Sequence, residues 1–191
     1  MNKYYHKLIR KHKLINFWSF SGNASKTICK VNYKFIFCFY KKMVLFDFSL
    51  FSLTIKKLFP IFYSTAINKG KFLFVGSKYI YSQSLYLQRS SFINKLTFLD
   101  AGIFTNFSSH YFKFFKNLKL EKNFSIIIFF KVVKDNFLLI ESRKKKIPII
   151  GLISGDFNSC LVDYPIFLNS FYFYNTYIFS RFLFRYILKA I

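Results

Sequence analysis

A chain of 191 residues has room for one full hydrophobic core and little more, and at 53% hydrophobic it is not a disordered basic tail. Thirty Lys and Arg stand against seven Asp and Glu, a formal net charge of +23. A polyanion best relieves such self-repulsion, so nucleic acid or an anionic membrane is the expected class of partner.

Residues 1–13 form a basic arm carrying Lys3, Lys7, Arg10, Lys11 and Lys13, and no acidic residue precedes Asp47. Residues 16–25 read as a loop around Trp18 and Gly22, and 33–40 as an aromatic strand or extended segment. Residues 43–47 read as a short apolar strand ending in an acid. A helix is predicted over 51–68, with Leu53, Leu58, Ile61 and Phe62 toward a core, Lys56 and Lys57 outward, and a kink at Pro60. Asn68-Lys69-Gly70-Lys71 stops it, with Gly70 placed as the C-terminal cap. A buried-type strand at 72–75 and a tight turn at Gly76 follow, so 43–75 has the length of one strand–helix–strand crossover. Residues 77–87 read as a helix, 96–99 as a third strand and 100–107 as a loop. A helix over 108–121 carries Lys113, Lys116 and Lys119 three apart, a slowly drifting basic stripe. The fourth strand is 125–130. A helix over 136–146 ends in Arg143-Lys144-Lys145-Lys146, cations that oppose its negative end. The fifth strand, 149–153, is followed by a polar loop at 154–160 and a short strand at 161–166 stopped by proline. Together these read as the carboxyl edge of an open α/β sheet. Asn169 is placed to cap a last helix on which Arg181, Arg185 and Lys189 recur every four residues.

The pattern predicts a basic arm and loop over 1–32 and one α/β domain over 33–191. The domain is expected to be Rossmann-like (flavodoxin-like), a doubly wound parallel five-stranded sheet flanked by helices. Its usual chemistry is missing from the sequence. There is no GxGxxG after a strand, no GxxxxGK[ST], no GxSxG elbow, no HExxH and no paired-carboxylate site. Asp156 and Asp163 are expected to be turn formers that bind local backbone N–H groups. Cys29, Cys38 and Cys160, with His6, His12 and His110, form no metal-ligand spacing and no disulfide framework. The longest uncharged run, residues 164–180, is seventeen residues interrupted by Pro165, Asn169 and Asn175, short of the ~20 apolar residues of a spanning helix. The 30 Phe and 14 Tyr stand against 6 Gly and 3 Pro, the mark of an AT-rich gene such as an organelle genome carries. Many Phe then stand where Leu, Ile or Val would serve, and are weak signs of base stacking.

Four segments in order carry a family likeness: NKGKFLFVGSK at 68–78, AGIFTNF at 101–107, KIPIIGL at 146–152 and LVDYPI at 161–166. They resemble the small-subunit ribosomal protein S-two family, whose members show RKGKILFVGTK, a tryptophan-containing GGxLTNF segment, GIPVIGIVDTN and LVDYPIPGND at similar spacing. The likeness runs from about residue 33 to the C-terminus, without gaps over 43–78. It departs at Asp100-Ala101, at the loop 154–159, and at Phe167-Leu168. Bacterial members also carry a long helical hairpin before the fourth strand. Here only the seventeen residues 108–124 fill that place, one helix of roughly 25 Å, so the hairpin is expected to be deleted.

The resemblance implies a structural, non-enzymatic constituent of the small subunit of an organellar ribosome, with no cofactor and no metal. A mitochondrion is expected, with a plastid as the alternative. Its partners would be small-subunit rRNA and neighbouring ribosomal proteins, with no membrane insertion. RNA would be held through phosphate contacts and shape. The candidate contacts are Lys3, Lys7, Arg10, Lys11 and Lys13 of the arm, the pair Lys41 and Lys42, Lys69, Lys71 and Lys78 beside the motif strands, and Lys113 and Lys116. A basic organellar membrane protein is the alternative. A degenerate α/β enzyme would need a phosphate loop or a nucleophile–base pair, and the sequence offers neither.

Overall fold

The computed structural model describes residues 21–24, 28–40, 43–76, 93–96, 124–132, 136–169 and 173–190. In chain order the elements are β1 (Ser21–Ala24), a 3-10 turn (Lys30–Phe35), β2 (Ile36–Tyr40), β3 (Met43–Phe46), α1 (Phe48–Ile67), β4 (Phe72–Val75) and β5 (Ile93–Leu96). After these come β6 (Ile126–Phe129), α2 (Phe137–Lys144), β7 (Ile149–Ile153), a second 3-10 turn (Ser159–Leu161), β8 (Tyr164–Phe167) and α3 (Phe173–Ala190). The helices predicted over 77–87 and 108–121 lie outside the described residues.

Strands with no polar residue must be buried on both faces, and that is where FLFV, IIIF and IIGLI lie. β4, β6, β7 and β8 form a parallel sheet of four strands, with Phe72 beside Ile126, Ile127 beside Ile149 and Ile150 beside Tyr164. The four residues of β5 run parallel along the other side of β4. Alternate side chains go to opposite faces. On one face Phe72, Phe74, Ile126, Ile128, Ile150, Leu152 and Ile166 meet Leu58, Phe62 and Ala66 of α1 and Phe179, Leu183, Phe184 and Ile187 of α3. On the other, Leu73, Val75, Ile127, Phe129, Ile149 and Ile153 meet Leu138 and Leu139 of α2 and Val44 and Phe46 of β3. Helices on both sides of a parallel sheet give an α/β domain. The phenylalanines fill this core, as the composition suggested: Phe74 packs edge-on to Phe184 with centroids 5.2 Å apart, and Phe130 to Phe179 at 6.1 Å.

The third strand stands at 93–96 and not over the 96–99 expected, and three further expectations are corrected. The strand at 43–47 is not in the parallel sheet. It pairs antiparallel with β1 and β2, with Tyr40 opposite Met43 only three residues on, and so short a connection closes at little entropic cost. The loop expected over 16–25 likewise contains β1. Pro165 does not stop the last strand but sits within it, opposite Gly151. β8 pairs only with β7 among the described strands, and an edge strand tolerates a proline because one row of its N–H groups is not needed for pairing.

α1 starts where Asp47 caps it, its Oδ1 accepting from the Ser49 N–H at 2.8 Å. The helix passes through Pro60, whose ring is on the exposed side, where water can serve the carbonyl left without a partner. Leu53, expected in the core, is 51% exposed; the buried stripe is Leu58, Phe62 and Ala66 instead.

Candidate nucleic-acid interface

Both helices that lead into central strands end in the same way. In α1 the Gly70 N–H donates to Thr65 O at 2.8 Å and the Lys69 N–H to Ala66 O at 3.0 Å. In α2 the Ile147 N–H donates to Ser142 O at 3.1 Å and the Lys146 N–H to Arg143 O at 2.9 Å. Each pair is a Schellman motif, which requires a left-handed residue just past the helix. That residue is a lysine both times, Lys69 at φ 53° and Lys146 at φ 56°. Gly70 is therefore not the left-handed cap the sequence suggested. It is glycine because a Cβ there would stand 2.5 Å from Thr65 Cγ2 and 2.9 Å from Thr65 O.

These turns share one edge of the sheet. The Lys71 carbonyl accepts from the Ser125 N–H at 2.9 Å, and the Lys71 N–H donates to Ser125 Oγ at 3.2 Å, which ties the α1 turn to the start of β6. The Ile127 N–H donates to Pro148 O at 3.0 Å, which ties the start of β6 to the entry of β7. With only β6 between them, β4 and β7 are about 10 Å apart. Lys69, Arg143, Lys144, Lys145 and Lys146 are exposed on this amino edge, and Lys71 is half-buried. Two carboxylates accompany them. Asp163 accepts the Ile149 N–H on Oδ2 at 2.8 Å, a bond to the neighbouring strand and not the local turn bond expected; Glu141 is buried on α2.

The carboxyl edge, where open α/β sheets ordinarily take a ligand, is covered over β7 and β8 by the chain itself. Asn32, fully buried, donates from Nδ2 to Gly155 O at 2.9 Å and to Phe157 O at 2.6 Å, and its Oδ1 accepts from the Ser159 N–H at 3.3 Å. Phe35 stacks on Phe167 with centroids 4.2 Å apart. Phe46 lies so close to Gly155, which has φ +103°, that a Cβ there would be 3.1 Å from its Cζ. Among the described residues no group of three His, Cys, Asp or Glu could hold a metal ion, and no helix is long and apolar enough to cross a membrane.

Of the sequence-predicted contacts, the structure describes Lys69 and Lys71 and brings them together. Lys3, Lys7, Arg10, Lys11, Lys13, Lys41, Lys42, Lys78, Lys113 and Lys116 lie outside the described residues. Arg143 to Lys146 were not among the predicted contacts, because at a helix end they read as dipole partners. The signal that finds them is topological, since the turns preceding parallel strands all lie on one edge. Comparison with protein-family models and with curated proteins finds no match.

Proposed function

We propose that this chain is a structural, non-enzymatic constituent of the small subunit of an organellar, most simply mitochondrial, ribosome. It would belong to the small-subunit ribosomal protein S-two family and support translation by binding small-subunit rRNA through phosphates. The observation that carries the reading is the ordered set of four motifs in a chain of net charge +23. Three of them coincide with working parts of the sheet: NKGK with the turn into β4, KIPIIGL with the entry to β7, and LVDYPI with Asp163 and β8. Strand order lends further support. Counting parallel strands as they appear, with β5 beside β4, the order is 2-1-3-4-5, which matches the flavodoxin-like, doubly wound arrangement that the family implies.

The test is a sucrose gradient of a detergent-lysed organelle extract, with and without ribonuclease. The protein is expected to travel with the small subunit and to leave that position after ribonuclease. Sedimentation with membranes, indifferent to the nuclease, would overturn the reading in favour of a basic membrane protein.

A further inference from the structure

The two basic turns share a strain that general affinity for RNA does not require. A non-glycine residue in the left-handed region is disfavoured by roughly 1–2 kcal/mol, and glycine, then asparagine, is the usual choice after a helix. Codon bias does not explain lysine, because asparagine codons are equally AT-rich and asparagine stands one residue earlier, at Asn68. The helix dipole does not explain it either. Its effect is largest within the last turn; in α1 that turn holds no basic residue and the cations Lys69 and Lys71 come after it, and in α2 Arg143 and Lys144 already fill that role, so Lys146 is not needed for it. At both positions the residue best for the fold has been passed over for one that carries charge.

Their setting is rigid. Each lysine backbone is held by a doubly bonded Schellman turn fixed to the start of a buried strand. The strands they enter, β4 and β7, are about 10 Å apart, and the turns reach that one edge from opposite faces of the sheet, α1 from one and α2 from the other. At the α1 turn lie the exposed side chains of Asn68 and Ser125, which can hydrogen-bond phosphate or ribose oxygens. Six cations face two carboxylates on these elements, and both carboxylates are occupied or buried: Asp163 by the Ile149 N–H, Glu141 within the packing of α2.

We propose that the amino edge of the sheet is a preformed rim for the RNA sugar-phosphate backbone, with Lys69 and Lys146 at its centre and Lys71, Arg143, Lys144 and Lys145 around them. This rests on the RNA-binding reading above and names the surface that does the binding.

The discriminating variant is Lys69→Gly/Lys146→Gly, which installs the residue the turns prefer while removing two charges. The full chain would be titrated with a mixed-sequence RNA stem-loop of about 30 nucleotides across a salt series, with Lys56→Gln/Lys57→Gln on the exposed side of α1 as the charge-matched control. A phosphate contact contributes a slope of about 0.7–0.9 in log affinity against log salt, or about 4- to 6-fold near 0.15 M salt. The glycine pair is expected to bind RNA about 20-fold more weakly with a slope lower by about 1.5, and to unfold at an equal or higher urea concentration. The control pair should lose much less. Unchanged affinity in the glycine pair, or an equal loss in the control, overturns the rim while leaving RNA binding intact. No salt-dependent RNA binding by the parent chain overturns the RNA reading itself. Binding only to phosphatidylserine vesicles overturns both in favour of a membrane surface.

Discussion

Asn32 offers a severe test of how the carboxyl edge is closed. Its amide donates two bonds to carbonyls of the loop after β7 and accepts one from the same loop, with no exposure to solvent. In Asn32→Ala, Gly155 O keeps the bond from the Cys29 N–H at 3.1 Å, but Phe157 O and the Ser159 N–H lose theirs. Two well-formed bonds at about 1 kcal/mol each, plus a penalty of similar size for the groups left unpaired, amount to about 3 kcal/mol. For a chain of this size that is a fall in melting temperature of about 9 °C. Asn32→Asp separates hydrogen bonding from packing. It keeps the shape and the acceptor but points a carboxylate at two carbonyl oxygens in a dry site, so it should cost at least as much as alanine. Urea unfolding in about 1 M KCl, where the screening length is near 3 Å and the repulsion of the +23 charge is suppressed, gives the cleanest reading. Alkylation of Cys29, half-buried and bonded to the same loop, should quicken in parallel. Stability in Asn32→Asp within about 0.5 kcal/mol of the parent would refute the argument, because the two donated bonds would then carry no weight.

Gly70→Ala should lower stability by about 2–3 kcal/mol, since the new Cβ would meet the Thr65 carbonyl at 2.9 Å, which is backbone and cannot turn aside; a midpoint unchanged in urea would contradict this. Asp163→Asn keeps an oxygen for the Ile149 N–H but removes a negative charge from the amino edge. RNA affinity at low salt should therefore rise a few-fold while stability changes by less than about 1 kcal/mol, and a fall in affinity on titration would count against the rim. The urea midpoint of the parent chain should increase between low and high KCl as self-repulsion is screened. A flat or falling midpoint would mean that the net charge of +23 is not what limits the free protein.

The central strands were legible because continuous apolar runs leave no face for water: 72–75 and 149–153 stand where the sequence put them, and 126–129 falls within the 125–130 expected. The start of α2 was legible as a position but not as a cap: the helix expected from residue 136 opens there because Asn136 Oδ1 accepts from the Leu139 N–H at 3.4 Å. Partnership was less so. Nothing in MVLF tells a parallel strand from an antiparallel one, and β3 went to the nearer partner. Asn32 was invisible because its partners are 123 to 127 residues away, beyond any periodicity. Lys69 was missed as the left-handed residue because glycine is the usual occupant of that position, so Gly70 drew the assignment one residue too far. Of the predicted RNA contacts only Lys69 and Lys71 fall within the described residues, and a lysine in isolation shows no preference between solvent and phosphate.

The electrostatics of the two edges explain why so many cations are needed on one of them. In an open α/β sheet the helix N-termini point their partial positive charge at the carboxyl edge, which is why anions gather there without much help from side chains. Here that edge is occupied over β7 and β8 by Asn32, Phe35 and Phe46. The amino edge has the opposite polarity: α1 and α2 end there, and each helix end contributes about −0.5 of a charge. An anion can be held on that edge only if side chains outweigh both helix ends and the local carboxylates. Six cations against Asp163 and Glu141 leave +4, and the two helix ends reduce it to about +3, still enough to attract a polyanion. Two lysines fewer would leave about +1, little more than one helix end can cancel. The left-handed lysines thus supply about two of the three net positive charges on this edge, and that is why their replacement by the conformationally better residue should cost RNA affinity and not stability.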